Sequence, residues 1–233
     1  MGALHVGADG AVVVVDVLSF TTSVSVLVER GTAVYPVPWR DSRAECLARE
    51  HGAALAVGRR EMSEENPWSL SPAALLQATA PERLVLPSPN GSAIAAAGPG
   101  LVLAACLRNA SAVGRYLREQ GFGIDRPLTV VPAGERWPDG SLRPALEDLL
   151  GAGAVLASLD LQDALSPEAA AASLVYASLD AASLVDRVHN CASGQELIRN
   201  GFSQDVEVAV EVDASDVIPV LQDGCFRRPP HHR

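Results

Sequence analysis

The chain has 233 residues, a formal charge of −10 and 48% hydrophobic against 20% charged residues. That composition suits one substantial core, and without a basic run or aromatic-rich ribbon it excludes a nucleic-acid surface. All 18 basic residues are arginine, so with no lysine in the chain a P-loop, a Schiff base and a Ser-Lys dyad are excluded as well.

The stretch AVVVVDVLSFTTSVSVLV, residues 11–28, opens with valines in a run too short to cross a bilayer and suited to a strand covered on both faces. The run meets Asp16. Thr21, Thr22 and Ser23 then cap a helix carrying Val24, Val26, Leu27 and Val28. Such a strand-to-helix junction is where ligands bind in open α/β sheets. Residues 58–72 read as an irregular, charged loop longer than a tight turn requires. In LVLPSPNGSAIAAAG a strand over 84–86 runs into the turn Asn90-Gly91-Ser92 and an alanine-rich helix. GLVLAACLRNASAVGRYLREQG repeats the pattern with Asn109 as N-cap, and in RPLTVVPAGERWPDGSLRPALEDLLGAGAVLASL residues 129–131 lead into a helix over 145–159.

A helical stretch is expected over 167–188. In DVEVAVEVD the alternation of Val206, Val208, Val210 and Val212 reads as a half-exposed strand near a sheet edge. Strands alternating with helices of about a dozen residues predict a three-layer α/β/α fold with a mostly parallel or mixed sheet, one domain over residues 1–233. Cys46, Cys106, Cys191 and Cys225 show no ligand spacing and read as reduced, mostly buried thiols. His5, His51, His189, His231 and His232 make no i, i+4 pair, so zinc is not expected. The basic tail RRPPHHR reads as a frayed terminus. No apolar run reaches the length of a membrane span, and no signal-peptide pattern opens the chain, so a cytoplasmic protein is expected.

The junctions each supply a small polar set: Asp16, Ser19, Thr21 and Thr22; Ser88, Asn90, Gly91 and Ser92; Arg108 and Asn109; Glu135, Arg136, Asp139, Glu147 and Asp148. Carboxylates suit Mg²⁺, and helix N-termini with Ser, Thr, Asn and Gly present N–H groups to a phosphate. A plainer reading stands beside each. Asp16 and Asn109 could simply cap helices, Asn90-Gly91 could be only a turn, and Glu147 and Asp148 could form a solvated face, although Gly151 and Gly153 suggest a helix packed closely on a neighbour. The strand-end aspartate does not make a haloacid-dehalogenase phosphatase, because the required second aspartate is Leu18 and the required lysine is absent. GAGAVLAS lacks the dinucleotide fingerprint and follows a helix.

In the order VVVVDVLSFTTSV, LPSPNGSAIAAA, CLRNASAVGRYL, VVPAGERWPDGSLRPALEDLLGAGAV and SGQELIRNGFSQDVEVAVEVDASDVIPVLQDG, the chain resembles the 2-phosphosulfolactate phosphatase (ComB) family over most of its length. The resemblance implies a Mg²⁺-dependent, cytoplasmic phosphomonoesterase acting on a small anionic phosphorylated 2-hydroxy acid, sulfolactate phosphate in coenzyme M biosynthesis. It places Asp16 in the strand-end D-V-L motif, Asn90 and Gly91 in the N-G turn, Asn109 in the strand-to-helix N-A step and Asp148 in the E-D step. The expected catalytic residues are therefore Asp16, Asn90, Asn109 and Asp148. Asp16, Asp148 and Glu147 are the expected Mg²⁺ ligands, with Glu61 a further candidate; Thr21, Thr22, Arg59, Gly91, Ser92 and Arg108 would contact substrate. Many relatives carry an arginine after D-V-L where this chain has Ser19, and their G-E-R element stands here as Gly58-Arg59-Arg60. Arg59 or Arg60 could replace the lost cation. A catalytically silent anion-binding relative, or a phosphatase of another specificity, is the alternative; a homo-oligomer is compatible with the apolar composition.

Overall fold

A computed structural model of the chain describes residues 7–161 and 164–229. His5 and the end of the basic tail, including His231 and His232, lie outside the described residues. The organising strand is β1 (Ala11–Val15), in which no residue has exposed surface. Its side chains alternate between two cores. Ala11, Val13 and Val15 join one cluster with Leu103, Val113, Leu150 and Val155, while Val12 and Val14 join another with Phe20, Val24, Leu84 and Leu86. A strand that buries both faces must lie inside a layered fold, which is why its valine run does not alternate with polar residues.

From β1 the chain enters α1 (Phe20–Glu29), β2 (Ala33–Val37), α2 (Ser42–His51) and β3 (Ala54–Leu55). An irregular segment follows, and then α3 (Pro72–Gln77), β4 (Arg83–Pro87), α4 (Gly91–Ala97), β5 (Leu101–Ala105) and α5 (Ala110–Glu119). Next come β6 (Leu128–Pro132), the small hairpin β7 (Glu135–Arg136) and β8 (Leu142–Arg143), and α6 (Leu146–Ser158). The last third is α7 (Pro167–Ala177), α8 (Ala181–Asn190), α9 (Ala192–Arg199), α10 (Ser203–Ala209), β9 (Val220–Gln222) and β10 (Cys225–Arg227).

Among the described residues one eight-stranded sheet runs in the order β3-β4-β2-β10-β9-β5-β1-β6. The groups β3-β4-β2 and β5-β1-β6 are each parallel, and the antiparallel β9–β10 hairpin joins them. The sheet is mixed, in a three-layer α/β/α arrangement as expected. The hairpin turns at Asp223-Gly224, whose positive φ angles of 49° and 79° are those of the tight turn that Asp-Gly favours. Of the thiols, Cys106, Cys191 and Cys225 are buried and Cys46 is exposed; all four are free.

One expectation is corrected. DVEVAVEVD is not a strand: its first part forms α10, and Val206, Val208 and Ala209 are buried against the cores. In a short run the valine alternation also sets Val206 and Ala209 three apart on one helical face, so period alone does not separate the two forms.

α6 lies close on the end of β1 and on α7 because two of its positions lack a side chain. A Cβ on Gly151 would stand 2.7 Å from Val17 Cγ2 and 2.8 Å from Val15 Cγ1; on Gly153 it would stand 2.3 Å from the Ala172 carbonyl oxygen of α7. Alanine at an unobstructed helix position is worth up to about 1 kcal/mol over glycine, but overpacking against backbone costs about 1–3 kcal/mol. Gly153→Ala should therefore lower the urea midpoint without changing the cooperativity of unfolding. A midpoint unchanged or raised would show that α6 and α7 are not in this close contact.

Candidate active site

The residue after β1 has nowhere to go but the interior, and it is an aspartate. Asp16 is 7% exposed. Its backbone is held by Thr21, whose hydroxyl accepts from the Asp16 N–H at 3.0 Å and donates to the Asp16 carbonyl at 2.8 Å. Its carboxylate receives the Phe20 N–H on Oδ1 and the Gly91 N–H on Oδ2, each at 3.1 Å. These donors open α1 and α4, so one side chain ties the starts of two helices. Gly91 is required at that contact: a Cβ there would lie 2.8 Å from Asp16 Oδ2 and 2.3 Å from Phe20 Cδ1.

Three further carboxylates stand around Asp16. Glu135, on β7, accepts from Asn90 Nδ2 at 2.9 Å. Glu147 and Asp148 occupy the first turn of α6, 2% and 3% exposed. Asp148 takes the Val17 N–H on Oδ1 at 2.7 Å and the Gly134 N–H on Oδ2 at 2.8 Å, clamping the loop after β1 to the loop after β6. Among the described residues none of Asp16, Asp148, Glu147 and Glu135 forms an ion pair.

The electrostatics follow from that crowding. Burial pushes the Asp16 carboxyl up to about 7, with the charges of Glu135 and Glu147 adding to it and the Phe20 and Gly91 N–H groups opposing. Asp148 is raised well above the ordinary carboxylate value by burial first, then by Asp16 and Glu147. Cys191, whose thiol lies against Glu147, is pushed up to about 12, again by burial first. It has no tendency to act as a thiolate.

The other candidate residues fall into two groups. Asn90, Gly91 and Ser92 meet Asp16 at the start of α4, and the fully buried Ser92 hydroxyl has no hydrogen-bond partner. Thr22 lies in the first turn of α1, but its hydroxyl donates to the Val17 carbonyl at 2.8 Å. Asn109 is elsewhere in function: its side chain accepts from Cys106 N–H and donates to the carbonyls of Ala104 and Val217, joining the end of β5 to the segment before β9. Arg108 also points away. It pairs with Glu211 and with Glu29 at the far end of α1, about 13 Å along that helix from Phe20.

Arg59 arrives from the long loop. Its Nη2 donates to Ser19 Oγ at 2.8 Å and its Nε to Asp205 Oδ2 at 2.9 Å. Asp205 is 1% exposed and also accepts from Ser71 Oγ at 2.5 Å and Ala73 N–H at 3.2 Å. Sequence reasoning passed over Asp205, because it sat at the head of the misread valine alternation. Glu61 accepts the Gly58 N–H at 2.7 Å within this loop, and no contact ties it to Asp16.

Residues 4–224 match the family model described as 2-phosphosulpholactate phosphatase. The chain is 30% identical to a probable 2-phosphosulfolactate phosphatase of Carboxydothermus hydrogenoformans over 224 residues, 93% of this chain and 89% of that protein. It is 28% identical to the 2-phosphosulfolactate phosphatase of Methanothermobacter thermautotrophicus over 216 residues, 92% and 88% of the two chains. A probable 2-phosphosulfolactate phosphatase of Thermotoga petrophila is 28% identical over 219 residues, 92% and 90%. Matched over residues 4–224 by that model, the chain belongs to the 2-phosphosulpholactate phosphatase family.

Proposed function

We propose that the protein is a Mg²⁺-dependent phosphomonoesterase that hydrolyses the phosphate ester of a small 2-hydroxy acid, 2-phosphosulfolactate being the substrate named for its relatives. The observation that carries this reading is the Asp16 carboxylate. It is buried at the meeting point of two helix starts, crowded by Glu135, Glu147 and Asp148, and lacks a cationic partner among the described residues. A cluster of this kind is short of positive charge.

The donor set fits a hard divalent cation. No three His, Cys, Asp or Glu side chains among the described residues stand close enough to hold a metal ion by themselves. Mg²⁺ does not need such a cage, since one or two carboxylates commonly hold it together with waters and substrate phosphate oxygens. Asp16 would hold the ion, with Glu135 and Glu147 as neighbours. Each Asp16 oxygen accepts one N–H and keeps a lone pair. Asp148, whose oxygens likewise accept one N–H each, clamps both loops and so also positions Asp16 and the Glu135 hairpin. Bound there, Mg²⁺ would neutralise phosphate charge and polarise the ester oxygen.

The chain's own residues supply orientation. Asn90 aims Glu135, Gly91 lets α4 approach the carboxylate, and Thr21 locks the backbone of Asp16 so that its side chain has one direction. Positioning and charge neutralisation are the main demands of phosphoryl transfer, whose transition state asks for little covalent help.

Asp16→Asn keeps the shape and removes the charge, setting an amide against one of two backbone donors. Phosphate release from 2-phosphosulfolactate should fall at least about 100-fold, while the protein remains folded, because removing a buried uncompensated charge offsets the lost hydrogen bond. An active variant would remove Asp16 from the chemistry.

The raised carboxyl also sets a pH dependence. Asp16 moves from 3.8 to about 7 on folding, so the native chain holds more protons than the unfolded chain across that interval, and stability falls as pH rises through it. Asp148 shifts in the same direction and deepens the fall. At pH 8 Asp16 is largely charged, and Mg²⁺ a hundredfold above its dissociation constant should raise the melting temperature by roughly 5–10 °C. Asp16→Asn should show almost none of that rise. Identical melting with Mg²⁺ and with a chelator would contradict a metal at this cluster.

A further inference from the structure

Beside the carboxylate cluster lies a second feature of opposite sign. A cavity of about 360 Å³ is lined by Arg40, Arg59, Arg60, Glu61, Asn200 and Phe202. Arg60 donates to Asn200 Oδ1 at 2.8 Å, and Arg40 forms no ion pair among the described residues. Glu61 is the one acidic side chain in the lining. Three guanidinium groups against one carboxylate leave this cavity net positive in a chain of charge −10.

Arg59 is the best-built of the three. Asp205 fixes its Nε, Ser19 its Nη2, and the guanidinium lies 5.5 Å from the centre of the Phe202 ring. Asp205 is in turn fixed by Ser71 and Ala73, so three separate parts of the chain hold this one side chain. A guanidinium has five N–H groups; the remaining donors of Arg59 find no acceptor among the described residues. Ser19 directly precedes Phe20, whose N–H holds Asp16, so the cation borders the carboxylate site.

We propose that this cavity is the subsite for a further anionic group of the substrate, the sulfonate that the small acid carries besides its carboxylate and phosphate ester, and that Arg59 is the residue that selects for it. The inference rests on the phosphatase reading for the ester, but the subsite stands on its own geometry. Arginine forks suit an oxyanion with several acceptor oxygens, and a pre-positioned guanidinium loses little freedom on binding. Asp205 places Arg59 without reaching the cavity itself.

Calorimetric titration with sulfolactate, which carries the sulfonate and no phosphate, reads the subsite apart from turnover. Wild-type protein should bind sulfolactate and bind lactate, which lacks the sulfonate, at least about 10-fold more weakly, the loss of one charge-assisted contact. Arg59→Gln should weaken sulfolactate by a similar factor and leave lactate unchanged, with Arg59→Lys in between. Because Arg59→Gln leaves Asp205 unpaired, Arg40→Gln serves as the second variant; it breaks no ion pair of the described residues and should also weaken sulfolactate selectively. Equal binding of sulfolactate by wild type and both variants, or no binding by wild type, overturns the subsite. Selective binding with no phosphate release from 2-phosphosulfolactate would sustain the subsite and sink the phosphatase, and phosphate release without selectivity would do the reverse.

Discussion

The structure is organised around a charge placed where charge is costly. A fully buried strand ends at Asp16, and the surrounding fold supplies only two backbone N–H groups to hold its carboxylate. Two hydrogen bonds do not offset the loss of water around an ionised group, still less with other carboxylates nearby, so the proton is held up to about neutrality. A chain selected for stability alone would put an apolar residue there. Strain of this type marks a site that something else completes, and a divalent cation with a phosphate ester has the matching charge and oxygen chemistry.

The rest of the fold is arranged to keep that carboxylate in place. Asp148 bridges two loops from the first turn of α6, where the helix N-terminus favours acidic groups. Gly151 and Gly153 let α6 lie close on β1 and α7, and Gly91 lets α4 lie close on Asp16. α1 is buried along almost its whole length, its hydroxyl residues Thr21, Thr22, Ser23 and Ser25 included. Rigid elements thus meet at one point, while the long loop after β3 brings arginines from the side.

Much of this was legible from residues 11–28 and the three later strand-to-helix junctions. The valine run and the Asn-Gly turn each have a local physical signature, and they placed Asp16, Asn90 and Gly91 at strand-to-helix junctions, where the structure has them; Thr21, Thr22 and Ser23, expected as caps, lie inside α1 instead. What local pattern cannot give is direction. Arg108 and Asn109 sit at a junction like the others, yet one reaches the far end of α1 and the other is consumed by backbone groups. Thr21 and Thr22 turn their hydroxyls back onto the chain. The Arg59–Asp205 pair spans 146 positions, so neither partner advertises the other, and the short valine alternation masked the helix that carries Asp205.

Ser19 takes part in the same long-range contact. With a hydroxyl at that position, the guanidinium of Arg59 enters from another segment and rests on Ser19 Oγ. The cation thus belongs to the loop after β3 and not to the β1 junction.

The central claim is that Asp16 is buried, uncompensated and open to a metal, and its titration tests that directly. With aspartate carboxyl carbons labelled with ¹³C, NMR should show the Asp16 signal titrating with a midpoint near 7 in the absence of divalent ions, and Mg²⁺ should shift that midpoint downward. A midpoint at the ordinary carboxylate value of 3.8, unmoved by Mg²⁺, would contradict the account.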